Sequence, residues 1–175
     1  MSLQLSLQGR ARVFGDDINT DYIISSRRKR DARDEEEMAR FLFEDIDPAF
    51  AASLERDDII VAGKNFGCGS AMEVAVTVAR AAGIRAIVAK SFARTFYRNA
   101  INNGLLPVIA DTSLVKEGTR IEIAVAAGST FVMLDEGARR VPAQGVPPEL
   151  VSIFTEGGLV PYIAKHRGFA VPLPR

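Results

Sequence analysis

Between residues 57 and 110 the sequence alternates short apolar runs with helical patterns that stop at glycine, and this rhythm restricts the fold more than any other feature. "DDIIVAG" (57–63), "IRAIVAK" (84–90) and "LLPVIA" (105–110) are compact apolar runs of strand length. Between them lie "SAMEVAVTVARAAG" (70–83) and "SFARTFYRNAINNG" (91–104), each ending on a glycine of the kind that closes a helix. Strand, helix, strand, helix, strand implies right-handed crossovers and a parallel sheet segment. The remainder has a different texture. "GRARVF" (9–14) alternates as a short strand, "GDDINTDYII" (15–24) is rich in turn formers, and residues 25–47 pass from a basic run to an acidic one with a helix predicted from Asp34. Beyond Asp111, "TRIEIAVAAGSTFVMLDEGARRVPA" (119–143) predicts antiparallel strands joined by Gly-containing turns. A last helix is predicted after Pro147 and Pro148, running on through "ELVSIFTEGGLVPYIAKH". The expectation is one α/β domain over residues 1–175, carrying a β-rich insertion near its C-terminal half.

Composition narrows the function. Lys plus Arg and Asp plus Glu number 22 each, so no global basic field exists to attract nucleic acid. Hydrophobic residues make up 47%, which excludes disorder as the general state. The single cysteine cannot form an internal disulfide and suits a reducing compartment. "MSLQLSLQGRARV" lacks a basic segment followed by an apolar one, and no long apolar run follows, so a cytoplasmic protein without a membrane segment is expected.

The chemistry concentrates in "GKNFGCGSAMEVAV" (63–76), where three glycines and the only cysteine, Cys68, precede an apolar helical run. A Walker A loop is excluded because no Lys-Ser or Lys-Thr pair follows the glycines, and "GCGSAME" supplies only half of a dinucleotide fingerprint. A thiol nucleophile would need a base, and the only histidine, His166, is remote in sequence. Ser70 with Glu73 three residues on has the capping-box pattern, predicting a helix that opens at Ser70. Two readings satisfy this spacing: a capped tight turn, and an anion site at a helix start.

Taken together, this stretch, "AKSFARTFYRNAINNGLLPV" (89–108), "GDDINTDYII" and "EGGLVPYI" resemble the small subunit of the 3-isopropylmalate dehydratase and homoaconitase type, equivalent to the swivel domain of aconitase. The resemblance runs over residues 15–163 and implies a single swivel-type domain, with a part-parallel sheet flanked by helices. It further implies a stereospecific hydro-lyase acting on a hydroxy-diacid at a [4Fe–4S] cluster, by default in leucine biosynthesis. Such a cluster takes about three or four thiolates. A chain with one cysteine therefore implies no cofactor of its own and a cluster-bearing large subunit as its partner. Iron-free, inactive protein is the expectation for the chain purified alone.

The resemblance also assigns residues, some of which depart from it. The family motif G-S-S-R-E maps its first serine, the proton-transfer base, onto Ser70, beside Gly69. Its second serine and its carboxylate-binding arginine fall on Ala71 and Met72, which can donate neither charge nor side-chain hydrogen bond. The family aspartate of T-D-x-I falls on Asp21, an orienting residue or part of a plain Asx-turn. Where the family has a short specificity loop, this chain has "SSRRKRD" (25–31), and Arg30 is nearest to the substrate-recognising arginine, with Arg28 beside it. A solvated basic face is the competing reading. Phe92, Phe96 and Ile101 have core spacing, and Arg94, Asn99 and Asn103 are expected to be structural. The departures point to a related substituted malate or a homoaconitate-like acid as alternative substrates, and a non-catalytic binding relative is the alternative class.

Overall fold

The computed structural model describes residues 3–126 and 129–168. Its centre is a seven-stranded sheet in the order β4-β3-β2-β1-β5-β6-β7. Strands β1 (Leu3–Val13), β2 (Ile59–Ala62), β3 (Ala86–Ala89) and β4 (Leu106–Ile109) run parallel. Strands β5 (Arg120–Ala126), β6 (Ser129–Leu134) and β7 (Arg139–Ala143) extend the sheet antiparallel from β1. The β-rich segment is thus no insertion. It pairs with the same β1 that starts the parallel half, and β1 is longer than the six residues that alternate in sequence.

Of the parallel strands, β2, β3 and β4 are covered on both faces, which is why they read as unbroken apolar runs. Ile60, Ala62, Ile87 and Ala89 point into one apolar cluster, beneath helices α5 (Val74–Ala81) and α6 (Arg94–Asn102). Ile59, Val61, Ala86 and Val88 point into the other. That second cluster is completed by Ile121, Ile123 and Val125 of β5 and by Val151 and Phe154 of α7 (Pro148–Thr155). β5 is buried on alternate residues only, as expected of a strand with one wet face. The sheet curls until its edges meet at one end: Ala110 bridges Ala143, and the Gln144 N–H donates to the Ile109 carbonyl at 2.8 Å.

Four short helices sit between β1 and β2: α1 (Thr20–Ile23), α2 (Ser26–Asp31), α3 (Glu35–Ala39) and α4 (Phe50–Ser53). Asp34 caps α3, accepting from the Glu37 N–H at 2.8 Å, as the acidic run predicts. The segment 15–24 is less irregular than its turn formers suggest, because Asn19 caps a helical turn there.

Two helix predictions need correction. The helix after the glycine loop does not open at Ser70. It starts at Val74, and neither Ser70 nor Glu73 makes a capping bond. The Ser70 carbonyl instead accepts from the Thr20 hydroxyl at 3.0 Å and from the Met72 N–H at 2.8 Å, which holds residues 70–72 in a tight bend. The Glu73 carboxylate accepts from Asn103 Nδ2 at 2.9 Å. The last helix is two, α7 and α8 (Leu159–His166), broken where Gly157 and Gly158 take φ of 90° and 127°. A Cβ on Gly104 would lie 2.6 Å from the Gly157 backbone, so the break is also a docking point. The turn between β5 and β6, predicted to contain glycine, falls outside the described residues.

At the start of β2 lies a buried ionic cluster. Asp58, 1% exposed, accepts from Arg10 Nε at 3.1 Å and Nη2 at 2.8 Å, from Arg12 Nη1 at 3.4 Å and from the Glu55 N–H at 3.0 Å. Burial alone would raise its pKa, but the Arg10 side chain, the Glu55 N–H and Arg12 together hold it below the usual carboxylate range. Arg12 also donates to Glu117 at 2.8 Å.

Candidate active site

At the other end of β2, the carboxyl ends of the parallel strands carry the loops, the place where open α/β sheets bind ligands. The loop of residues 63–70 is stitched to both neighbours. On one side the Gly63 N–H donates to the Gly15 carbonyl at 3.0 Å, Lys64 N–H to Asp16 Oδ1 at 2.6 Å, and Gly67 N–H to the Ile18 carbonyl at 2.8 Å. On the other, the Asn65 N–H donates to Ser91 Oγ at 2.8 Å and the Phe66 N–H to the Ser91 carbonyl at 3.0 Å. Phe66, fully buried, locks the middle with its ring 5.2 Å from that of Phe96 and 6.0 Å from that of Phe92.

Two glycines are needed for this path. Gly67 has φ of 76° and a Cβ there would meet the Phe96 ring at 2.2 Å; Gly69 has φ of 91° and a Cβ would meet Asn19 Oδ1 at 2.4 Å. The glycine loop is therefore over-determined by its neighbours, and it delivers Ser70 to the surface in a fixed place. The Ser70 side chain is exposed and its hydroxyl has no partner among the described residues; the N–H groups of Gly69, Ser70 and Ala71 likewise find no acceptor there. Cys68, half-buried, is a free thiol.

Asp21 stands in the first turn of α1. The Asx-type cap at this point belongs to Asn19, whose Oδ1 accepts from the Asp21 N–H at 2.9 Å. Asp21 Oδ1 accepts from Ser26 Oγ at 2.8 Å and so ties α1 to the start of α2. Thr20 and Asp21, adjacent in sequence, thus link the Ser70 carbonyl to the basic helix.

The basic run divides into engaged and free cations. Arg28 grips Glu44 with two bonds, Nε at 2.7 Å and Nη2 at 2.8 Å, and lies over the Phe41 ring at 3.7 Å. That grip, through the Arg28 hydrogen bond first, holds the Glu44 carboxyl below its ordinary range. Arg27 is 3.8 Å from the same carboxylate. Lys29 and Arg30 are exposed and have no acidic partner among the described residues. Glu44 has no sequence signal: it lies sixteen residues from Arg28, in an acidic run with several equivalent carboxylates. Ala71 is exposed, whereas Met72 is half-buried against the apolar cluster under α5. The place where the resemblance puts a carboxylate clamp is here part of the packing.

The glycine loop at the end of a parallel strand thus presents an exposed serine among free backbone donors. The aconitase C-terminal domain model matches residues 17–113. The chain is 42% identical to 3-isopropylmalate dehydratase small subunit 2 of Archaeoglobus fulgidus, over 93% of this chain and 97% of that one. It is 40% identical to the methanogen homoaconitase small subunit of Methanocaldococcus jannaschii, over 92% and 93% of the two chains. A crystal structure of 3-isopropylmalate dehydratase from M. jannaschii superposes with a TM-score of 0.85 at 40% identity, covering 93% of this chain and 96% of that one. The chain belongs to the aconitase C-terminal domain family, among the small subunits of the 3-isopropylmalate dehydratase type.

Proposed function

We propose that this chain is the small subunit of a two-subunit [4Fe–4S] hydro-lyase that dehydrates and rehydrates a hydroxy-diacid of the 3-isopropylmalate class, in the cytoplasm and by default in leucine biosynthesis. The observation that carries the reading is the unpartnered Ser70 hydroxyl on a loop whose path its neighbours dictate. A cluster takes about three or four thiolates. This chain has one cysteine, and its described residues hold no group of three or more His, Cys, Asp or Glu side chains that could bind a metal ion. The residues do not fit the cluster, which in this reading belongs to the large subunit.

Ser70 takes the role of proton-transfer base. Its hydroxyl must give up a proton to act, and the free N–H groups of Gly69 and Ala71 are donors that favour the resulting negative oxygen. Arg30, with Lys29 beside it, is a free cation for a substrate carboxylate, while Arg28 already has Glu44. Asp21 acts through Ser26, orienting the basic helix.

Met72 favours one substrate reading over another. A carboxylate facing this side chain would find an apolar surface and lose about 1–3 kcal/mol for each charge-assisted bond not made. We therefore assign a substrate with altered or smaller groups at that end than 3-isopropylmalate, such as another alkyl-substituted malate, with the Arg27–Arg30 run gripping the charge that Met72 does not. The test is reconstitution with the large subunit, following ultraviolet absorbance of the unsaturated product. Comparing kcat/KM for 3-isopropylmalate and alkyl-substituted malates, in the unmodified chain and in Met72→Arg, should show a preference that Met72→Arg shifts toward 3-isopropylmalate. No turnover of any hydroxy-diacid would sink the catalytic reading; preference for 3-isopropylmalate with no gain from Met72→Arg would sink the substrate assignment alone.

A further inference from the structure

The seam where the curled sheet closes carries charge that the proposed reaction does not use. An open groove of about 630 Å³ lies there, lined by Ile109 and Gln144 from the two sheet edges and by Phe92, Arg94, Tyr97 and Arg98. Arg94 and Arg98 are exposed, face the groove one turn apart on α6, and have no acidic partner among the described residues. No carboxylate lines the groove. Like charges at this spacing repel, and Arg94 at the first position of α6 opposes the helix dipole, with no acid in that turn to offset it. The less exposed arginines are paired, Arg10 and Arg12 with Asp58 and Arg28 with Glu44, whereas Arg94 and Arg98 are left open as Lys29 and Arg30 are.

The floor of the groove is aromatic. The Phe92 and Tyr97 rings meet edge to face at 5.8 Å. Guanidiniums around aromatic rings form the composition on which protein interfaces concentrate binding energy, and arginine pairs with carboxylates through two parallel bonds. A small-molecule pocket encloses most of its ligand, and this groove does not. Its floor also packs on the loop that carries Ser70, since the Phe92 ring meets that of Phe66 and the two residues form a backbone bridge.

We infer that this groove receives an acidic segment of the large subunit, whose Asp or Glu carboxylates pair with Arg94 and Arg98 while an apolar residue covers Phe92 and Tyr97. The inference rests on the two-subunit reading above and adds where, and by what chemistry, the partner is held. A partner seated here lies against the aromatic cluster that carries the Ser70 loop.

The test uses the purified large subunit from the same organism and measures its affinity for this chain at two salt concentrations. Arg94→Ala/Arg98→Ala should weaken binding about tenfold at low salt and flatten its salt dependence. Arg94→Glu/Arg98→Glu should weaken it about 100-fold or more, because like charges then face each other. Arg120→Glu, an exposed change on β5, should leave binding unaltered. Circular dichroism of the free variants should match the unmodified chain and thermal melting should be equal or slightly raised, since neither arginine is engaged and Arg94 opposes the helix dipole. Unchanged affinity and salt dependence in the double variants would overturn the inference, as would an equal loss with Arg120→Glu. Intact assembly with a raised substrate KM would overturn it in favour of a dicarboxylate site. If the unmodified chain fails to bind the large subunit at all, the two-subunit reading falls first.

Discussion

Two polar clusters sit at opposite ends of β2, and the chain treats them in opposite ways. At the start of the strand, Asp58 is buried with its carboxylate bonded by Arg10, Arg12 and a backbone N–H. Beyond the end of the strand, Ser70 is exposed with its hydroxyl unbonded, near free N–H groups, and its carbonyl is held by Thr20, whose neighbour Asp21 bonds Ser26 at the start of the basic helix. The contrast is not one of order, because the loop that holds Ser70 is bonded on both flanks. Burial forces the first cluster to satisfy itself, since an unpaired charge away from water is costly. Groups held rigidly but left open at the second can be satisfied only by another molecule. The first cluster serves folding, and the second is the one that the proposed function gives to substrate.

The largest expected effect breaks the open cluster. In the reconstituted complex, Ser70→Ala should lower turnover by about 10²–10⁴-fold, the range for a lost general base, with substrate binding little altered. Its melting temperature should not move, because Ser70 caps no helix. Near-normal turnover would remove Ser70 from the chemistry.

Next in size is the closed cluster. Asp58→Ala leaves two arginines without their shared acceptor, and unfolding by denaturant should report a loss of about 3–5 kcal/mol. The pH dependence has a definite sign. Asp58 titrates below its unfolded range, so the stability it confers is complete above the ordinary aspartate range and is lost as pH falls through the lower folded value. Melting temperature against pH should therefore decline on acidification, and the part due to Asp58 should be absent in Asp58→Asn. A stability loss below about 1 kcal/mol in Asp58→Ala, as for an exposed pair, would end the contrast between the clusters.

A glycine pair sharpens the comparison. Gly69 and Gly83 share φ of 91°, but a Cβ on Gly69 collides with Asn19 while one on Gly83 meets nothing within 4 Å. Gly83→Ala should lose about 1 kcal/mol from backbone strain, and Gly69→Ala about 1–3 kcal/mol with an added fall in kcat as Ser70 moves. Equal losses and unchanged kcat would show that the loop tolerates displacement. Smallest is Arg30→Ala, which should raise KM about tenfold with kcat nearly constant, the pattern of a contact made equally before and during reaction. A fall in kcat at constant KM would give Arg30 a different part.

The parallel core was readable because both faces of β2, β3 and β4 are covered, so each strand appears in sequence as an unbroken apolar run between glycine stops. The break between α7 and α8 had a visible marker in Gly157 and Gly158, whose positive φ no continuous helix accommodates. The start of α5 had a misleading one. Ser70 and Glu73 match a capping box, yet Thr20 holds the Ser70 carbonyl and Asn103 holds the Glu73 carboxylate, and those distant residues decide where the helix opens. Arg28 and Arg30 are alike in sequence, and only Glu44 and Phe41 separate the engaged cation from the free one.

Local pattern by itself determined the strand and helix rhythm, the glycine loop and the absence of cluster thiolates, because periodicity, backbone freedom and residue chemistry are properties of short stretches. Tertiary structure alone decided that Ser70 stands free of its helix, that Met72 packs inward, that Arg28 is paired, and that Arg94 and Arg98 share an open groove. Each of those depends on which remote groups the curled sheet brings within hydrogen-bonding or packing distance, and no short stretch of sequence carries that information.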